Sequence, residues 1–365
     1  MSVVAPQNWQ QLIEQLPEVP ADAELILRSG KLGPTATIRY ADVAPRVFVR
    51  NEHGVREQIP AFDQGLQGAS LLAGDVALAE ALTPIVGPIR SAELVSWRPG
   101  RRAVLRLDLE NGESQWLKLL DRKSYRRAKR AFAALGSSLA PLKMMVPYAL
   151  VPKWHGYIAK AASGMPLRAA IKANDEICWG GLTRALLAIG YTELQGGDDG
   201  KDAVDGLPTI DFGHAQAAAV NMLQKGAALQ RELAELADRV AQLPQPALVA
   251  KAVVHGDLHD KQLFIDSGNV SLIDLEGIGL GDTRFDLVNL AEHIRLRDLQ
   301  QQQRDSGLAD CVIARCCLDS NDPEVRAFRA VIRARLVGVY ALRPRWRELV
   351  TQLRGEVAEL VGELA

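Results

Sequence analysis

The sequence predicts an α+β fold in two unequal lobes, a small β-rich one and a larger helical one, preceded by a β-containing extension. Three observations predict it. Residues 91–161 run in short apolar–polar alternations separated by turn residues, the period-two pattern of strands. From Leu167 onward apolar residues recur at helical spacing, as at Leu182, Leu186 and Ile189. One polar stretch, Val253 to Ile278, breaks the helical run with a hairpin. The expected division is an accessory region over 1–90, the first lobe over 91–161 and the helical lobe over 162–365, with 253–287 as its functional segment.

Composition narrows the classes. Hydrophobic content of 48% and charged content of 24% are those of a soluble globular chain. Forty-three basic residues against 44 acidic ones leave a net charge of −1, without the basic excess of a dedicated nucleic-acid binder. No apolar run reaches the roughly 18 residues of a membrane helix, so no membrane partner is expected. Met1–Gln10 lacks a basic segment followed by an apolar core, so no signal peptide is expected and the expected location is cytoplasmic. Cys178, Cys311, Cys316 and Cys317 lack the spacing of a zinc site and read as reduced thiols.

In the accessory region Asn8 caps a predicted helix, Trp9–Gln15. Strands follow at Glu24–Leu27, Ala36–Tyr40 and Arg46–Arg50, then a turn at Asn51–Gly54 and a return strand at Val55–Ile59. Helical pieces are expected around Leu71–Leu82. This region reads as a layer packed on the first lobe, with a separate substrate-sensing domain as the alternative.

The first lobe opens with Glu93–Trp97, a turn over Arg98-Pro99-Gly100-Arg101, and a strand over Ala103–Leu109. Asn111-Gly112 makes a hairpin turn into Gln115–Leu120, which carries Lys118. From the residues alone Lys118 faces either solvent or a ligand. The helix Ser124–Leu135 holds Arg126, Arg127, Lys129 and Arg130 and no acid. It presents either a solvated basic face or a holder for an anion. Strands over Val146–Val151 and Tyr157–Ala161 close the lobe.

The helical lobe reads as a helix over Ile177–Leu194, an acidic loop with Asp198, Asp199, Asp202 and Asp205, and one long helix over Phe212–Leu243. Then comes the hairpin. Leu263–Ile265 and Val270–Ile273 are its strands, and Asp266-Ser267-Gly268-Asn269 is its turn. It carries Asp257 and Asp274 towards each other, with Gln262 at its start. Two carboxylates and an amide oxygen there suit magnesium, which takes hard oxygen ligands, and a hydroxyl nucleophile, which takes a carboxylate base. His259 reaches either a ligand or a local partner. Helices around Asp286–Leu299, Leu308–Leu318, Glu324–Leu342 and Arg345–Leu364 complete the lobe.

The stretch His255-Gly256-Asp257, then Gln262, then a hairpin ending in Asp274, resembles the catalytic segment of the aminoglycoside phosphotransferase family, which shares the protein-kinase-like fold. Gly281-Asp282-Thr283-Arg284-Phe285-Asp286-Leu287 is similar to a further element of that family. The resemblance implies ATP- and Mg²⁺-dependent transfer of a γ-phosphoryl group to a hydroxyl of a sugar, aminoglycoside or amino alcohol, with GTP as the alternative donor. It implies that Asp257 is the base, that Asp274 and Gln262 hold metal with Glu276 as a further carboxylate, and that Lys118 contacts phosphate. It further implies that Ala161 and Ala162 in the hinge leave room for the adenine. Arg101 and the other basic residues of the turn either meet phosphate or are solvated. Asp286 would be a support and His255 a packing residue of the loop. Gln262 stands where the family has Asn, and no Glu in the helix after Lys118 pairs with it. Those two departures are what favours the rival reading, a nucleotide-binding scaffold without turnover. Intact Asp257 and Asp274 favour the enzyme.

Overall fold

The computed structural model describes residues 9–30, 33–40, 46–51, 54–136, 140–173, 177, 179–194, 204–247, 251–301 and 306–364. The expected cap Asn8, the turn residues Glu52 and His53, Cys178 and the acids Asp198, Asp199 and Asp202 lie outside the described residues.

After a short helix, Trp9–Glu14, the extension forms an antiparallel meander of β1 (Glu24–Gly30), β2 (Gly33–Arg39), β3 (Arg46–Asn51) and β4 (Gly54–Gln58). Alternation sends Leu27, Ala36, Ile38 and Phe48 to one face, where they bury against Trp9, Leu12 and Leu342. Leu342 belongs to the helical lobe, and its carbonyl accepts from Leu27 N at 2.9 Å. The sheet is therefore seated on the helical lobe. Leu66, Ala69, Leu71, Leu78 and Leu82, which follow it, join the first lobe's core instead. The extension bridges both lobes.

The first lobe is a five-stranded antiparallel sheet of β5 (Ile89–Arg98), β6 (Arg102–Leu109), β7 (Ser114–Leu120), β10 (Gly156–Lys160) and β9 (Ala149–Val151), in that spatial order. The expected strand over Val146–Val151 shortens to Ala149–Val151. A separate strand, β8 (Leu142–Met144), leaves the lobe and pairs in parallel with the catalytic hairpin. The helix Arg122–Ala134 packs Tyr125, Ala128 and Ala131 inward and leaves its basic residues exposed.

In the helical lobe β11 (Met165–Pro166) pairs with the hairpin strand β14 (Leu263–Asp266), whose partner is β15 (Asn269–Leu272). Gly164, at φ +88°, sits where a Cβ would fall 2.2 Å from the Ile265 carbonyl oxygen. No other residue fits there, and the lobe connection is thereby pinned to the hairpin. β12 (Thr209–Ile210), β13 (Ala252–Val254) and β16 (Gly279–Gly281) form a small sheet beneath the catalytic loop.

The long helix expected over Phe212–Leu243 is two helices, Phe212–Ala227 and Glu232–Ala241. Leu223, Leu233, Leu236 and Val240 all belong to one core, so the chain must fold back to bury both runs. Periodicity does not register a four-residue reversal between two helix-forming segments. The helix Ile177–Leu194 is shorter than expected, Trp179–Gly190. Helices Thr283–Gln300, Leu308–Arg315, Pro323–Ala341 and Arg347–Leu364 complete the lobe. Gly338 allows Pro323–Ala341 to lie against Phe212–Ala227, since a Cβ there would fall 2.4 Å from the Met222 backbone. That approach sets Arg335 and Lys225 across one cavity.

Candidate active site

Alternation along β7 separates Lys118 from its neighbours. Leu117 and Leu119 enter the lobe's core, and Lys118 points the other way, into the cleft, only 5% exposed. A buried ammonium needs compensation. Lys118 Nζ lies 3.1 Å from Asp274 Oδ1 and forms a second, shorter ion pair with Glu276. Tyr157, opposite Lys118 on β10, donates its hydroxyl to Glu276 at 3.0 Å. The carboxylate absent from the helix after β7 thus comes from the segment after the hairpin. Asp121, the other candidate for that role, caps the helix Arg122–Ala134 by accepting from Lys123 N and Ser124 N.

Asp274 ends the hairpin at φ 62°, ψ 42°, the left-handed region that Asp tolerates better than most residues. Burial pushes its carboxyl up, but the charge and hydrogen bond of Lys118 outweigh this, with Arg102 assisting, and hold it below the ordinary value. Gln262 is 4% exposed, and its Oε1 accepts from His259 N at 3.0 Å. One lone pair of that oxygen therefore braces the loop.

Asp257 sits on the floor of the cleft. Burial raises its carboxyl, but Arg335, with His259 and His293, brings it down to about 2. Arg335 reaches Asp257 Oδ1 at 2.8 Å. The loop beneath is fixed by Asp286, 3% exposed, which accepts from His255 N at 2.5 Å and from Gly256 N at 2.9 Å. Burial raises the Asp286 carboxyl. The His255 ring donates from Nε2 to the Ile273 carbonyl at 2.9 Å and closes the loop onto the hairpin. Asp286 and His255 therefore act as supports, in line with expectation. His259 accepts from Lys261 N and faces the His293 ring, 4.9 Å between centroids. Burial lowers the pKa of both imidazoles.

Two cavities meet at Asp257 and Arg335. One, about 330 Å³, is lined by Arg127, Ile210, His214, Gly256 and Phe285. The other, about 420 Å³, extends towards the extension and contains Arg101. Ala161 and Ala162 lie at the lobe connection, accessible from solvent. Among the described residues no three His, Cys, Asp or Glu side chains gather as a metal cage. Asp274 and Glu276 still suit Mg²⁺, which is commonly held by one or two carboxylates together with substrate phosphates.

Sequence reasoning missed several supports. Arg335 carries no motif. Asn289 donates to the Leu258 carbonyl at 2.7 Å, and Arg297 binds the fully buried Asp260 at 2.9 Å. Asp63, from the extension, accepts from Gly100 N at 2.8 Å and from Trp97 Nε1 at 2.9 Å. The turn over the cleft is thus fixed by a residue outside the lobe.

A lysine held by two carboxylates across a cleft from a third, on two lobes of this topology, defines a kinase-like phosphotransferase. The chain belongs to the phosphotransferase enzyme family, whose model matches residues 90–328. Its fold is similar to that of a thermostable mutant of the aminoglycoside phosphotransferase APH(4)-Ia solved with ADP and hygromycin B (TM-score 0.52, 12% identity, 78% of this chain and 98% of that one). Similar too are APH(3'')-Id from Streptomyces rimosus (TM-score 0.48, 17% identity, 72% and 98%) and an ethanolamine kinase from Plasmodium vivax (0.45, 10%, 71% and 79%). Comparison with curated protein sequences returned no match.

Proposed function

We propose that the protein is a cytoplasmic ATP- and Mg²⁺-dependent kinase that phosphorylates a hydroxyl of a small molecule. The observation that carries this reading is Lys118, buried and held by Asp274 and Glu276. Lys118 contacts the donor phosphates, and Ala161 and Ala162 flank the base, while Arg101 lines the larger cavity. Asp274, with Gln262 and Glu276 as further oxygen donors, would hold Mg²⁺, which supplies neutralisation of phosphate charge. The acceptor oxygen bonds to the γ-phosphorus as the bond to the β-phosphate oxygen breaks, and ADP leaves with that electron pair. Asp257 takes the hydroxyl proton. Its low pKa keeps it ionised at neutral pH, which suits orientation of a nucleophile more than strong base catalysis.

The Lys118–Glu276 pair also removes one ground for the scaffold reading, because the lysine has a partner. The test pairs thermal shift with turnover. ATP or GTP should raise the melting temperature only with Mg²⁺ present. Asp257→Asn should keep that shift and lose turnover by about 10²–10⁴-fold. No shift at millimolar nucleotide would sink the reading.

A further inference from the structure

The larger cavity has a charge that no nucleotide role accounts for. The extension contributes Arg28 to its wall, the turn Arg98 and Arg101, and the helical lobe Lys225, Lys261 and Arg343. Arg297 and Arg335 also line it, but they already bind Asp260 and Asp257. Among the described residues Asp257 is the only carboxylate in the lining. Among the described residues, the side chains of Arg28, Arg98, Arg101, Lys225 and Lys261 make no ion pair. Arg343 reaches Glu24 at 3.7 Å, while its Nε is buried with no partner.

The nucleotide does not explain these cations. Lys118, Asp274, Glu276 and the hinge alanines are absent from the lining, so the cluster lies on the acceptor side of Asp257. Nor does folding need them there. Crowding cations costs free energy: burial and then Arg343, Arg39 and Arg102 disfavour the charge on Arg28, and burial with Arg102 and Arg28 disfavours that on Arg98. Arg28 stands on β1, and the wall continues with Thr35 and Thr37 of β2. The extension thus supplies a face of the acceptor pocket.

We propose that the acceptor is itself an anion, a hydroxyl compound that already carries a phosphate group, bound with that phosphate against Arg28, Arg98 and Lys225 and its free hydroxyl towards Asp257. This rests on the kinase reading above and names its substrate class. The product carries a second phosphate. A polycationic aminoglycoside is excluded by charge, since it would meet at least five unpaired cations. Guanidinium forks suit phosphate oxygens, and three of the five are arginines.

The test uses the full chain and inorganic phosphate as the minimal probe. Calorimetric titration is run without nucleotide and again with Mg²⁺ and AMP-PNP saturating. Phosphate should bind in both conditions, and Arg28→Gln and Lys225→Gln should each weaken it by about tenfold, the loss of one charge-assisted contact, while AMP-PNP affinity stays unchanged and the melting temperature does not fall. In a coupled assay of ADP release, glucose 6-phosphate and glycerol 3-phosphate should outperform glucose and kanamycin in kcat/KM. Gluconate separates a carboxylate requirement from a phosphate one: if it is preferred over both phosphate esters, the phosphate assignment is overturned. Three other results also overturn the proposal: phosphate displaced by AMP-PNP, phosphate binding indifferent to both variants, or kanamycin or glucose as the better acceptor. Failure of AMP-PNP to bind with Mg²⁺ overturns the kinase reading, and the titration without nucleotide still decides whether the anion site exists.

Discussion

The two sides of the cleft solve opposite electrostatic problems. On the donor side one buried lysine is held by two carboxylates, which exceed it by one negative charge. On the acceptor side a row of cations faces one carboxylate among the described residues, itself neutralised by Arg335. Opposite charges in contact hold one another in place, and the excess carboxylate suits a cation. Like charges crowded together carry a cost that an anionic ligand relieves. The difference teaches where each kind of specificity resides. On the proposed reading, the donor is recognised by the lobes and the acceptor through the extension, which supplies Arg28 directly and holds the turn bearing Arg98 through Asp63.

The sharpest way to break the contrast is to unbalance the donor side. Lys118→Met leaves Asp274 and Glu276 facing each other, and Glu276→Gln leaves Lys118 with half its partners. Removing one member of a buried pair costs about 3–5 kcal/mol at the fully buried limit, and somewhat less here because the Asp274 side chain is 39% exposed. The double variant should cost less than the sum, because the second change removes the orphan left by the first. Thermal melting of all four proteins measures it. Additive losses would show that the lysine and the glutamate do not act as a unit. Turnover should fall sharply in every variant.

That asymmetry also explains what the sequence revealed. Asp257, Gln262 and Asp274 lie within one hairpin segment, where spacing and strand pairing make a site legible from a string of residues. The hairpin and the three strands around Lys118 follow from local pattern, and the supporting role of Asp286 from the family resemblance. The acceptor wall draws on positions 28, 98, 225, 261 and 343, from five distant segments. No periodicity joins them, and each alone reads as a solvated surface charge. The partner of Lys118 was hidden for the same reason: Glu276 is 158 residues away and reaches it only through tertiary packing. The break between Phe212–Ala227 and Glu232–Ala241 escaped notice because both halves are good helix sequence, and only the core decides that the chain turns.

Changing pH should separate the two sides in opposite directions. Asp274 is held below its ordinary value, so its contribution to stability is complete above about pH 4 and is lost as pH falls through its folded pKa. The acceptor side responds to base. Burial with Arg297, Arg168 and Arg343, opposed by Asp260, brings Lys261 down to about 8. Lys261 is cationic below that value, so phosphate affinity should decline as pH rises through about 8 while AMP-PNP affinity holds. The arginines of the wall keep their charge throughout. An equal decline for both ligands would mean general unfolding and not loss of this charge.

Arg335→Gln sharpens the comparison at the point where the two sides meet. In the wild type Asp257 titrates at about 2, so the acid limb of kcat/KM lies below the working range. Without the guanidinium, burial is left as the dominant influence and raises the carboxyl. The acid limb should move up by at least one pH unit, with kcat at pH 8 reduced only several-fold. An unmoved limb would assign the acid titration to another group.

The smallest expected effect comes from Asp63, through which the extension acts on the cleft at a distance. Its two oxygens accept from Gly100 N, Trp97 Nε1 and Gly65 N, and it is 2% exposed. Asp63→Asn replaces one acceptor with a donor and leaves at least one of these buried N–H groups unsatisfied, at a cost of about 1–3 kcal/mol. The turn from Arg98 to Arg101 then loses its anchor on one side and keeps the bond from Asp121 N to the Arg101 carbonyl on the other, with its own bond from Arg101 N to the Arg98 carbonyl. Melting temperature should drop by a few degrees. Phosphate affinity should fall several-fold, because Arg98 no longer has a fixed base, and Lys118 should remain paired and AMP-PNP binding unaffected. If nucleotide and phosphate binding weaken together, the turn serves both sides of the cleft equally, and the division of labour between lobes and extension is wrong.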